Sequence, residues 1–199
     1  MYTVIGAPTT RAFRVVCMLE ELGEPYTLDP KRPHDPAVVA INPSGKVPVL
    51  IDGGVPILDS VAICQYLADK HGKFTFKAGT IERAQQDSFT QFSVDDVEGP
   101  LWVAAKHSFA LPEEYRVKEV KRACEFDFRR AVATLSKRLG SRPYVTGDNF
   151  TLPDLLLGHC LIWALAIKWD LPEGNVRDYF DRICARPGYQ KAIAIRAAA

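Results

Sequence analysis

Three short stretches of the chain combine residue types that could hold an anion or a peptide. The first is Gly6-Ala7-Pro8-Thr9-Thr10-Arg11, a break between an apolar alternation and a helical repeat. The first amides of a helix lack internal partners, and the helix dipole adds partial positive charge there. An anion is stabilised at such a point, and a thiolate is an anion. The hydroxyl of Thr10, or of Thr9 beside it, could add a hydrogen bond to the sulfur; the same residues also read as an ordinary N-cap. The second stretch is 42–50, Asn-Pro-Ser-Gly-Lys-Val-Pro-Val-Leu, where Pro48 opens a strand. Proline removes a ladder donor and belongs at a strand start or edge. A cis Val47-Pro48 bond would turn the N–H and C=O of Val47 toward a bound peptide, whereas a trans bond would make this a plain loop. The third is Leu58-Asp59-Ser60 ahead of a helix. A carboxylate, a hydroxyl and free amides together could hold both charged groups of an amino acid, and each also serves as a cap.

The elements that must position these residues follow from periodicity and breaks. Residues 2–5 read as a strand and 11–22 as a helix, with Ala12, Val15, Val16, Leu19 and Leu22 at helical spacing and Gly23 as the stop. A second strand at 26–28 is parallel to the first if the helix is a crossover. The loop 29–36 is rich in Pro and charge. Strands at 47–51 and 55–58 flank Asp52-Gly53-Gly54, a hairpin signal, and a helix follows over 59–70. From Thr80 onward only helices are read, at 81–109, 112–139, 153–170, 175–185 and 187–198. The fold class is thus α/β followed by all-α. The expected domains are 1–73, a linker at 74–80, and a helical domain over 81–199.

Composition narrows the function. The 199 residues are 47% hydrophobic, enough for a packed core. Net charge is +1, which gives no global field for nucleic acid or anionic lipid. Met1 leads straight into apolar alternation without a basic n-region, and the longest apolar run is interrupted by Gly158 and His159. Neither a leader nor a membrane span is expected. The 5 cysteines include no C-x-x-C pair, which argues against a disulfide framework or a zinc site and favours a cytoplasmic location. Cys17 and the other four read as small core residues, and His159 as a core or interface histidine.

Taken together, the β-α-β-β-α order, the proline opening the third strand and the Asp59-Ser60 pair resemble the glutathione-binding half of the glutathione S-transferases. The segment 147–154, Gly-Asp-Asn-Phe-Thr-Leu-Pro-Asp, is similar to that family's buried capping motif, with Thr151 as cap and Asp154 reaching back. Arg186-Pro187-Gly188-Tyr189 is also family-like. The resemblance spans essentially the whole chain.

It implies a thioredoxin-like N-terminal domain, a C-terminal helical bundle and a homodimer. Thr10 falls two residues after Pro8, where phi-type members carry a catalytic serine, and Thr9 is the second candidate. Val47, beside Pro48, would pair with the cysteinyl backbone of glutathione. Asp59 and Ser60 would hold its γ-glutamyl end. Lys46, with Arg32 or His34, would meet its glycyl carboxylate. Trp102, Phe109 and Tyr115 are candidates for the wall that receives a hydrophobic electrophile, and they also read as core. Asp95 and Asp96 lie where some members present an acid to the γ-glutamyl ammonium. No cofactor is implied beyond glutathione as co-substrate. The expected activity is conjugation of glutathione to an electrophile. The alternatives are a non-catalytic glutathione-binding protein, or a glutathione-dependent reductase, peroxidase, isomerase or dehalogenase on the same scaffold.

Overall fold

The computed structural model describes Met1–Ala199 throughout. Two compact units divide the chain: residues 1–77 with 184–199, and residues 78–183. The first contains a four-stranded sheet in the order β2-β1-β3-β4, built from β1 (Tyr2–Ile5), β2 (Tyr26–Asp29), β3 (Val49–Asp52) and β4 (Val55–Leu58). β1 and β2 are parallel and joined through helix α1 (Ala12–Leu22), since parallel neighbours need a crossover connection. β3 and β4 form the antiparallel hairpin predicted around Gly53-Gly54. A short helix α2 (Pro36–Val39), unanticipated from sequence, lies in the β2–β3 connection with Asp35 accepting from the Ala37 amide at 2.9 Å. Helix α3 (Ser60–His71) follows β4 and is closed by Gly72.

Every residue of α1 from Ala12 to Leu19 is buried, including the charged Arg14. α1 packs against β1, α3 and α9 (Pro187–Ala197). That last contact changes the expected boundary: residues 184–199 belong with the sheet, not with the helices of 81–183. The reason is local. Gly188 comes so close to α1 that a Cβ there would stand 2.8 Å from the Glu21 Cα and N. Glu21, with a side chain only 4% exposed, accepts from Arg186 Nη2 at 2.7 Å and Nε at 3.1 Å, and from the Tyr189 amide at 3.1 Å.

The second unit is helical. α4 (Ile81–Phe92) runs on through a π-helical stretch (Ser93–Glu98), α5 (Gly99–Ala105) and a second π-helical stretch (Lys106–Ala110). The helix expected over 112–139 begins only at α6 (Val120–Leu139), after a 3-10 turn at Glu113–Tyr115. Arg116 explains the difference. Its guanidinium donates to the carbonyls of Leu111 at 2.7 Å and Phe109 at 3.1 Å, closing a compact loop where a helix would have extended. α7 (Leu152–Ala166) and α8 (Asn175–Cys184) complete the unit.

The start of α7 is the predicted cap. The Thr151 amide and hydroxyl donate to Asp154 Oδ2 at 2.8 and 2.9 Å. Asp154 Oδ1 accepts from the Val145 amide at 2.9 Å and Tyr179 Oη at 2.8 Å. One buried carboxylate therefore ties the loop before α7, its first turn and α8 together. No helix is long and apolar enough to cross a membrane.

Candidate functional site

Sheet register brings the three sequence stretches to one end of the first unit. Ile5 pairs with Asp29 on one side and Val49 on the other, and Val49 pairs with Leu58. The chain that continues past this row comprises Gly6–Thr10 after β1, the loop after β2, Val47-Pro48 before β3, and Asp59-Ser60 after β4. Gly6, at φ +143°, allows the convergence: a Cβ there would meet Ala12 Cβ at 2.9 Å and Val47 Cβ at 3.0 Å.

The Val47-Pro48 bond is cis. The Val47 side chain is buried in a cluster with Ile5, Val38 and Val49, and no backbone hydrogen bond inside the chain uses its N–H or C=O. The turn leading to it is organised by Asn42, which sequence reasoning passed over. Its Nδ2 donates to the Lys46 carbonyl at 2.8 Å, and its Oδ1 accepts from the Ser44 amide at 3.2 Å and hydroxyl at 2.8 Å. The side chain of Lys46 is exposed.

Asp59 adopts φ +71° and caps α3, with Oδ1 accepting from the amides of Val61 at 2.8 Å and Ala62 at 3.1 Å. Asp59 is exposed and Ser60 buried. Ser60 Oγ accepts from Arg14 Nη1 at 3.2 Å. Arg14 was the second omission. A cation inside an otherwise apolar helical run needs a partner, and that was the available signal.

The Thr10 hydroxyl donates to the Ala7 carbonyl at 2.7 Å and accepts from the Ala12 amide at 3.2 Å. Its single proton is thus directed at the backbone. Thr9 is exposed. Arg32 and His34 are both exposed, on the loop after β2. His34, at φ +65°, donates its amide to Gly45 O at 2.8 Å, and its ring lies against Gly45, where a Cβ would stand 2.4 Å from Nδ1.

The remaining candidates lie in the helical unit. Trp102 is half-buried on α5, while Phe109 and Tyr115 are 69% and 65% exposed. Those exposures rule out the core reading for Phe109 and Tyr115. Asp95 and Asp96 are exposed on the first π-helical stretch and line a groove of about 560 Å³ together with Cys124, Asp127 and Arg130.

All 5 cysteines are free; Cys17, Cys64, Cys124 and Cys160 are buried and Cys184 is half-buried. Burial raises the Cys17 thiol well above its ordinary value, with Glu21 adding to the effect. Burial likewise pushes the Cys64 thiol up to about 12. Neither is available as a thiolate nucleophile near neutral pH.

A sheet of this order with a cis proline just before its third strand, and a separate helical unit, define a thioredoxin-like N-terminal domain with an all-helical C-terminal domain. Residues 10–70 match the glutathione S-transferase N-terminal domain, and residues 100–187 match the glutathione S-transferase C-terminal domain. A glutathione S-transferase of Silene vulgaris is 30% identical over 81% of this chain and 79% of its own length. The chain belongs to the glutathione S-transferase family. The crystal structure of Gtt2 from Saccharomyces cerevisiae superposes with a TM-score of 0.83, 25% identity, and coverage of 96% of this chain and 99% of that one. The disulfide-bond oxidoreductase YfcG of Escherichia coli K12 is 26% identical over 97% of this chain and 94% of its own.

Proposed function

We propose that the chain is a glutathione transferase that binds glutathione at this end of the sheet, stabilises its thiolate and conjugates it to a hydrophobic electrophile. The observation that carries the reading is the convergence of Val47, with its backbone polar groups unused, and Asp59-Ser60 beside the start of α1. Val47 pairs with the cysteinyl backbone, Ser60 with the glutamyl carboxylate, and Asp59 with the ammonium. Lys46, with Arg32 or His34, meets the glycyl carboxylate. The sulfur then lies over the turn 8–11, where the partial positive charge at the start of α1 and a threonine hydroxyl favour the thiolate. With an aromatic chloride the thiol proton goes to water, the S–C bond forms and chloride leaves with its electron pair. Trp102, Phe109 and Tyr115 are the apolar side chains proposed to receive the electrophile.

Retention on immobilised glutathione followed by turnover of an aromatic chloride tests the reading. Retention with turnover supports it. Retention without turnover on any electrophile turns the assignment to a non-catalytic binder, which the backbone-directed proton of Thr10 favours.

The same reading includes a homodimer. β4 is an edge strand with exposed Val55 and Leu58, and α6 exposes Phe126 at 66%. Light scattering that gives a dilution-independent monomer mass would refute the dimer.

A further inference from the structure

We propose that Arg196 is a specificity-determining residue that receives a carboxylate or sulfonate on the second substrate, an inference that rests on the binding reading above. Arg196 lies in the last turn of α9. Its Nη1 is buried and has no hydrogen-bond partner. Its guanidinium carbon stands 5.5 Å from the centre of the Phe13 ring. An aromatic face attracts a cation but satisfies none of the in-plane N–H donors. A cation in this turn also complements the dipole of α9, yet an exposed side chain would do that without stranding a buried donor. Burial lowers the guanidinium pKa, with Tyr189 acting the other way, so an incoming anion would relieve a desolvated charge.

The register of α1 and α9 fixes where that anion sits. Gly188, at the start of α9, lies against Glu20 and Glu21 near the end of α1, while Phe13, in the first turn of α1, lies beneath Arg196. The two helices are therefore antiparallel, and Arg196 flanks the end of α1 whose dipole already favours an anion. The carboxylates of α1 do not serve it. Glu20 and Glu21 are about two turns further along. Glu20 accepts from Tyr26 Oη at 2.9 Å, and Glu21 pairs with Arg186 at 2.7 Å. Nor is the group the γ-glutamyl end of glutathione. Residue 14 faces α3 through Ser60. Residue 13 points about 100° away round the helix. Its ring meets Tyr189 of α9, with centroids 5.6 Å apart. The anion that Arg196 meets belongs to a molecule on the α9 side of the thiolate.

The test is calorimetric titration of the parent and Arg196→Met with glutathione and two of its aryl conjugates, made from chlorodinitrobenzoate and from chlorodinitrobenzamide. The conjugates differ only in a carboxylate against a neutral amide, and binding is read whether or not the protein turns over. The parent should bind the carboxylate conjugate more tightly than the amide. Arg196→Met keeps an apolar contact with Phe13. It should weaken the carboxylate conjugate about tenfold and leave glutathione and the amide conjugate unchanged. If Arg196→Met does not fold, Arg196→Gln carries the same comparison. Equal affinity of the parent for the two conjugates overturns the proposal, as does equal weakening of both by the variant, or of neither. A loss that extends to free glutathione would assign Arg196 to the peptide and overturn it too. A parent that binds glutathione but neither conjugate refutes this inference and leaves the glutathione reading standing; a parent that binds none of the three refutes both.

Discussion

The Thr10 hydroxyl donates to the carbonyl of Ala7, three residues earlier, at 2.7 Å, and so stabilises the turn before α1. A threonine here is first a cap, and it becomes a sulfur ligand only by rotating that proton away. Thr10→Val should therefore lower stability by about 1 kcal/mol, the usual worth of a cap. Its effect on the thiolate of bound glutathione, followed by absorbance against pH, should be at most about one pKa unit, because the amides remain. Thr10→Ser should ionise the thiol at least as readily as the parent, since its hydroxyl turns without a γ-methyl. A shift in Thr9→Val with none in Thr10→Val would move the assignment to Thr9.

Glu21 is buried and has three donors from the segment after α8. Removing one partner of a buried ion pair leaves an uncompensated charge, which costs about 3–5 kcal/mol. Arg186→Ala should lower the melting temperature by several degrees and raise amide exchange in α9 before the helices of 78–183. Uniform exchange across the chain would contradict the assignment of 184–199 to the sheet unit.

Asp154 receives four donors across 2.8–2.9 Å, and burial pushes its carboxyl above the ordinary value. Asp154→Ala strands the Val145 and Thr151 amides and should cost at least about 2 kcal/mol. In the fraction that stays folded, affinity for glutathione should equal that of the parent. Unchanged melting with lost binding would mean that this residue serves a ligand rather than the fold.

The Cys64 thiol gives a pH test. Its folded-state value of about 12 exceeds the ordinary 9.0, so above pH 9 the unfolded chain sheds a proton that the folded chain keeps. The stabilisation is full below the unfolded value and is lost as pH rises toward 12, at about 1.4 kcal/mol per unit. Thermal unfolding between neutrality and pH ~10.5 should show a shallower decline for Cys64→Ala than for the parent. Equal slopes would refute the account.

Much of the first unit was legible because its signals are local. Gly23 and Gly72 end helices, Asp52-Gly53-Gly54 makes a hairpin, and Pro48 opens a strand. What escaped depends on partners distant in sequence. Nothing near Arg14 announces Ser60, 46 residues away, and nothing in α9 announces Glu21. Pro112-Glu113-Glu114 has the composition of a helix start, yet Arg116 takes the carbonyls of Phe109 and Leu111 and holds a loop instead. Asn42 looked like turn composition, and only its bond to the Lys46 carbonyl shows that it shapes the approach to Val47.

The most direct test of the central claim is the position of glutathione in a crystal of its complex with this protein. The account predicts the peptide extended beside the Val47-Pro48 bond, with its cysteinyl N–H and C=O on the Val47 backbone. Its γ-glutamyl carboxylate should lie on Ser60 and its sulfur over the turn 8–11. Glutathione bound elsewhere on the chain, or reversed so that its glycyl end meets Ser60, would contradict it.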